Sequence, residues 1–503
     1  MRSSLTIAGV LLCFSQCANS AQAMPSAQAL STATYAVNKY RTALVATLAN
    51  MVSFNTVADK NVPFEKNPQH LGFKRYLQEE ASRLGLDYTD YGYVMVIGLG
   101  QSEQRLGIIT HGDIQPVDAS KWKKSPFELD PTSEPGRLVG RGAEDDKGPI
   151  ATAMYAMKAI KDQKLVLSKR LELYVYMAEE SDWAPLAAFL KTHVPPQINI
   201  TLDAEYPVVT AEKGYGTISV TVPPLAAPAG SDSGPRVTAF GGGFFGSQIP
   251  EDASAVIDNA TPALAAAIGQ RAALQHGMRY GFAWQGAQLR IKALGVSAHS
   301  SKPEDGVNAI SMLADALAVR TWSNTSAGAL VTFLNDMIGT GFHGEKFGSI
   351  AYRDSFMGPM TFAPTVIKQT DAGIELNINL RRPRGKAGPQ LEAEVRAALE
   401  QWQASHVALI NTKVLVTEPW EQKSAPQVPA LLAVFSHFTG IKNPQPVAIG
   451  GGTNSRLFPN AVSFGPGMPG TVYTGHSEHE FITNKQLLLN LQMYTAAMVE
   501  LAK

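Results

Sequence analysis

The stretch RLELYVYMAEESDW, residues 170–183, reads as a buried strand that ends on two adjacent carboxylates, Glu179 and Glu180. Each acid is expensive to dehydrate, so a counter-charge has to stand close by. A helical pattern, APLAAFLKTH (184–193), follows at once. Working outward, YAVNKYRTALVATLANMV (35–52) and PIATAMYAMKAIKDQ (149–163) carry helical periodicity, whereas YVMVIGL (93–99) and RLGIITHGD (105–113) read as strands. Strands alternating with helices between about residue 35 and residue 215 predict an α/β layer fold with a mostly parallel sheet. In such sheets chemistry collects at the carboxyl ends of the strands.

At 503 residues the chain is too long for one ordinary domain. Its texture changes at GTISVTVPPLAAPAGSDSGPRVTAFGGGFFG (216–246), where Gly, Pro and Ser mark a boundary or an irregular connection. Strand and helix patterns then alternate in QLRIKALG (288–295), NAISMLADALAVRTW (308–322), IELNINLRRP (374–383) and LEAEVRAALEQWQAS (391–405). The chain closes on the helix KQLLLNLQMYTAAMVELA (485–502). The simplest organisation is an α/β domain, residues 24–214 and 419–503, interrupted by an inserted α+β domain over residues 215–418.

Lys+Arg and Asp+Glu both number 43, so no overall field favours nucleic acid or an anionic membrane. Two G-x-G-x-x-G matches, Gly241–Gly246 and Gly465–Gly470, carry no nucleotide fingerprint: one runs into SQIPED and the other contains Pro466 and Pro469. Arg2, the apolar run Leu5 to Phe14 and Ala21-Gln22-Ala23 are the parts of a secretory signal with cleavage expected after Ala23. A periplasmic or secreted protein, free of the membrane after cleavage, is therefore expected. Both cysteines, Cys13 and Cys17, fall inside that segment, and Phe14-Ser15-Gln16 fits a lipobox poorly. The remaining chain has no thiol for a disulfide, a zinc site or a nucleophile.

With thiols absent, a buried metal site would have to use His, Asp and Glu. His111-Gly112-Asp113 ends one strand pattern, Glu179-Glu180 a second, and Asp203 follows a third in NITLDAEYP. Asp145 and Asp146 lie between Gly142 and Gly148 before a helix, where capping is one reading and bridging of two cations another. Acids and a histidine at several predicted strand ends point to one site on one sheet edge.

The order His-x-Asp, GRGAEDDKG, AEES, LDAEYP and a late H-x-x-H-E resembles the dinuclear zinc metallopeptidases of the aminoacylase, carboxypeptidase and carnosinase superfamily. HGDIQPVDASKW, GRGAEDDKGP, MAEESDW, TLDAEYPVV, GVNAI and GGGTNSR look most like bacterial secondary dipeptidases, which hydrolyse Xaa-Xaa and carnosine-like peptides. The resemblance spans nearly all of residues 24–503. It implies a mixed-sheet catalytic domain with the inserted domain as a lid.

Position by position, the resemblance makes His111 and Asp203 ligands of one zinc and Glu180 and His476 ligands of the other, with Asp145 bridging them. Cobalt or manganese could replace zinc in such a site. It makes Asp113 the partner that fixes the His111 tautomer and places a cis peptide bond before Asp146. Glu179 would be the general base, taking a proton from the water between the zincs and passing it to the leaving amine. His299, in GVSAHSSKPEDGVNAI, would donate to the developing oxyanion. Arg381 would recognise the substrate carboxylate, its alternative being a surface ion pair. Gly451, Thr453 and Asn454 belong to a loop that either presents backbone amides to that carboxylate or is only a turn.

TGHSEHEF contains both His476 and His479. The family spacing to Glu480 selects His476 and leaves His479 at a position usually held by asparagine. In FGSQIPED, Ser247 stands where the dipeptidases carry an asparagine on the inserted domain. The expected substrate is a dipeptide. An N-acyl-amino-acid deacylase or a carboxypeptidase would use the same metals, and an exported metal- or peptide-binding protein is the non-catalytic alternative. A monomer is expected, because the large inserted domain resembles that of single-chain dipeptidases.

Overall fold

The computed structural model describes residues 24–225, 234–322 and 325–503. The expected signal, 1–23, and both cysteines lie outside the described residues. Among the described residues no helix is long and apolar enough to cross a membrane.

Strand Arg105–His111 forms the middle of the first sheet, parallel to Arg170–Tyr176 on one side and to Ile198–Thr201 on the other. Ala461–Ser463 extends the parallel set beside Ile198–Thr201. The outer strands depart from the mostly parallel expectation. Asp87–Asp90 and Val94–Leu99 form a hairpin whose second strand runs antiparallel to Arg170–Tyr176. The connection between them is too short for a crossover, which alone would have made them parallel. The sheet is therefore mixed.

Helices Ala27–Val52, Lys147–Asp162 and Asn484–Ala502 pack together in the layer against this sheet. Lys147–Asp162 is apolar nearly all round, and almost every residue in it is buried, as a helix with neighbours on several sides must be. Gly148 in its first turn has no substitute, because a Cβ there would lie 2.2 Å from the carbonyl oxygen of Ala143.

A second, wholly antiparallel sheet of eight strands, with Arg279–Gln285 and Ile410–Val416 at its edges, has its own core. Ile218, Val220, Leu376, Ile378 and Leu380 cover one face together with helices Ser326–Phe333 and Gly388–Gln403. Strand Gln288–Leu294 alternates buried and exposed residues, the period-two signature of a sheet solvated on its other face. The chain leaves the first sheet at Glu212, enters the second at Gly214, and rejoins the first at Trp420–Glu421.

Candidate metal centre

Asp113 fixes the backbone of Glu179 and Glu180 but adds a third carboxylate beside them, so it is not their counter-charge. Strand Arg170–Tyr176 ends before them, and the chain turns so that the amides of Glu179 and Glu180 donate to the two carboxylate oxygens of Asp113, each at 3.0 Å. Asp113 is fully buried, so these bonds are made in a medium where they are strong. They aim both glutamate side chains at the end of the neighbouring strand, where His111 is the last residue.

His111 Nε2 lies 2.9 Å from Asp145 Oδ1 and 3.7 Å from Asp203 Oδ1. His476 Nε2 lies 3.3 Å from Asp145 Oδ2 and 3.0 Å from Glu180 Oε1. Asp145 thus stands between two imidazoles with one carboxylate oxygen toward each. Donor atoms of His111, Glu179 and Asp203 lie within 4.8 Å of one another, as do those of His111, Asp145 and Glu180. The structure brings together all the residues that the resemblance named as ligands, and Glu179 with them.

Asp145 does not come from the edge of the main sheet. It sits in the turn before Lys147–Asp162, and the carboxylate of Glu480 holds that turn by accepting the amides of Gly142, Glu144 and Asp145 at 2.9–3.0 Å. The buried guanidinium of Arg141 balances Glu480 at 2.8 Å. The peptide bond between Asp145 and Asp146 is cis. Capping does not explain the aspartates: Asp146 makes no side-chain cap bond, and its Oδ2 accepts the His111 amide at 3.2 Å.

The tautomer of His111 is held differently from expectation. Its Nδ1 is 3.0 Å from the main-chain oxygen of Asp113 and 3.5 Å from the carboxylate, whose oxygens already accept from the two glutamate amides. The choice between His476 and His479 is settled by direction. His479 is half-exposed and pairs with Glu134 at 2.9 Å, whereas His476 is buried among the acids with a left-handed φ of 66°.

Burial first, and then the charges of Asp145 and Glu180, push the Asp203 carboxyl up to about 7 against the pull of His111. Burial and the charge of Asp203 likewise raise Glu179. Burial would lower His476, but Glu180 and Asp145 overcome it and bring the imidazole to about 10. Two imidazoles cannot balance the crowded carboxyls of Asp145, Asp146, Glu179, Glu180 and Asp203. Divalent cations can, and imidazole nitrogen with carboxylate oxygen is a donor set suited to them. His476 Nδ1 and Glu179 Oε1 are buried without a hydrogen-bond partner.

Asp145, Glu179, Glu180, Asp203 and His476 line an open cleft. His299, from the segment paired with Gln248–Ile249, lines this cleft, its ring 4.5 Å from that of His476. His299 Nδ1 accepts the Ser301 amide at 3.1 Å, which leaves Nε2 to carry the proton of the neutral ring. Burial, then the charges of His476 and Arg381, hold this histidine well below its ordinary value. Gly451 and Thr453 also line the cleft. Thr453 Oγ1 donates to buried Glu212 at 2.8 Å, so its side chain braces the loop.

Arg381 and Asn454 are buried but do not line the cleft. Arg381 packs over the Tyr215 ring at 5.0 Å and donates to Asn379 Oδ1 at 3.1 Å, and burial lowers it to about 10. Among the described residues it makes no ion pair, and it is buried rather than at the surface. Asn454 has no partner for either amide atom among the described residues.

Sequence reasoning passed over Gln115, Gln248 and Tyr473. Gln115 Nε2 donates to Glu180 Oε2 at 2.7 Å, and Gln248 Nε2 donates to the His476 carbonyl at 2.9 Å, tying the segment paired with His299 to the loop of His476. Tyr473 lines the cleft. Gln115 lay inside the quoted HGDIQP and Gln248 beside Ser247, but no spacing rule marks an uncharged amide.

The beta-Ala-Xaa dipeptidase of Lactobacillus delbrueckii subsp. lactis is 28% identical over 84% of this chain and 87% of its own length. Human carnosine dipeptidase 1 shares the fold with a TM-score of 0.57 at 15% identity, over 95% of this chain and 99% of that one. The Saccharomyces cerevisiae di-peptidase Dug1p does so with a TM-score of 0.56 at 11% identity, over 93% and 98%. Residues 107–500 match the family described as Peptidase family M20/M25/M40, a span that contains every residue of the cluster. The chain belongs to peptidase family M20/M25/M40 and is a peptidase.

Proposed function

We propose that this peptidase is an exported dipeptidase that hydrolyses free dipeptides with two zinc ions per chain. The observation that carries the reading is the Asp145 carboxylate standing between His111 and His476 on the wall of a small cleft that also presents Glu179 and His299. His111, Asp145 and Asp203 would hold one cation; Asp145, Glu180 and His476 would hold the other. When bound, the cations supply polarisation of the scissile carbonyl and acidify a water molecule.

Glu179 then removes a proton from the attacking water and delivers it to the leaving amine. Its position supports that role, because Asp113 fixes its backbone while its Oε1 has no partner among the described residues. His299 donates from Nε2 to the oxyanion as it develops. Arg381 and the amides around Gly451 attract the substrate carboxylate, the arginine through charge from beneath the cleft wall. Because His299 reaches the cleft from within the same chain, a monomer suffices for the site.

The composition of residues 1–23 supports export to the periplasm or the medium. The test is amino-acid release by residues 24–503, reconstituted with zinc, from matched dipeptides, N-acetylated dipeptides and tripeptides. Preferential cleavage of free dipeptides, abolished by chelation, is expected. Preference for N-acylated substrates would assign a deacylase instead.

A further inference from the structure

Most carboxylates on the cleft wall belong to the cluster of Asp145, Glu179, Glu180 and Asp203, and Glu205 is the one that stands apart from it. Its backbone is fixed from the cluster side: strand Ala204–Glu205 pairs with Pro466–Gly467, and the Glu205 carbonyl accepts the Gly465 amide at 3.2 Å. Its side chain is left to the cleft, where it meets Lys302 at 2.5 Å. Lys302 lies three residues beyond His299, in the part of the chain that belongs to the second sheet, so the pair crosses the mouth of the site. Both side chains are partly exposed, at 31% for Lys302 and 24% for Glu205. A pair so solvated is worth little and exchanges readily.

A primary ammonium of the protein thus occupies the one cleft carboxylate that is not committed to the metal-facing cluster. A peptide's free α-amine is the same chemical group.

We propose that Glu205 is the specificity-determining acceptor for the free α-ammonium of the substrate, which displaces Lys302 when it binds. The proposal rests on the dipeptidase reading. An N-acylated substrate carries no charge to exchange for Lys302 and leaves the ion pair closed across the mouth. Discrimination between free and blocked peptides then resides in this carboxylate, separately from Glu179 and the cation ligands.

The experiment compares wild type, Glu205→Gln and Lys302→Met on alanyl-leucine and on N-acetyl-alanyl-leucine. The glutamine variant should raise KM for the free dipeptide about 10- to 100-fold, the worth of a charged hydrogen bond, with little change in kcat. Its activity on the acetylated peptide should not fall. The methionine variant breaks the same ion pair yet should lower KM for the free dipeptide, because it removes the competing ammonium. Equal losses in both variants on both substrates would show the pair to be only a structural tie and overturn the assignment. An unchanged free-to-acetylated ratio in Glu205→Gln would overturn it too, while leaving the dipeptidase reading intact. A wild-type enzyme inactive on both peptides would overturn that reading and this assignment with it.

Discussion

Arg141 and Glu480 form an ion pair of 2.8 Å in which both side chains are fully buried. Glu480 spends its remaining acceptor capacity on the amides of Gly142, Glu144 and Asp145, so one carboxylate shapes the turn that presents Asp145 to His111 and His476. Glu480→Ala leaves Arg141 as an unpaired buried charge, which costs about 3–5 kcal/mol. Urea denaturation should show that loss, and equilibrium dialysis should show weaker zinc binding by a residue that is not itself a ligand.

Glu179→Gln keeps the shape of the side chain and removes the carboxylate proposed as the base. The turnover number should fall about 100- to 10,000-fold, while zinc content by elemental analysis stays at the wild-type value. Loss of zinc together with activity would instead make Glu179 a ligand.

His299→Ala removes the proposed oxyanion donor without touching the cation ligands. A fall in kcat of about 100- to 1,000-fold is expected, with a smaller effect on KM. Steady-state kinetics on a dipeptide separates the two parameters.

Chelation should destabilise as well as inactivate. The crowded carboxyls around Asp145 repel one another when no cation screens them, and any ligand held only by the native state stabilises it by about 2.7 kcal/mol at one hundred times its Kd. Scanning calorimetry should record a lower Tm after chelation and its recovery on adding zinc.

Lys213 offers a pH test away from the cluster. Burial lowers its ammonium from 10.5 to about 8, while its Nζ donates to the Pro359 carbonyl at 2.5 Å. The folded value lies below the unfolded one, so the unfolded chain holds more protons between about pH 8 and pH 10.5. Stability from this group therefore rises with pH across that window, by roughly 3 kcal/mol at most. In Lys213→Met the rise should vanish, as measured by urea denaturation at pH 8 and pH 10.

Local pattern was enough to find the strand before Glu179, the buried helix after Asp146 and the closing helix, because apolar periodicity is written into neighbouring residues. The helix over 308–322 came out shorter, ending at Ala316, although Leu317 and Trp322 beyond it stay buried in the same core. The family resemblance carried by motif order was enough to single out His111, Asp145, Glu180, Asp203 and His476 as a set, and the structure places them together.

What remained lay in contacts between distant parts of the chain. Only the fold turned His479 outward to Glu134 and His476 inward to Glu180. Only the fold set Asp113 beneath the amides of Glu179 and Glu180, and Gln248 against the loop of His476. The sequence by itself determined which segments are helix or strand and which side chains could bind a cation, because both follow from residue chemistry and short-range period. The tertiary structure alone decided which of those side chains face one another, and paired Glu205 with Lys302 across the cleft, because that direction depends on packing between segments dozens to hundreds of residues apart.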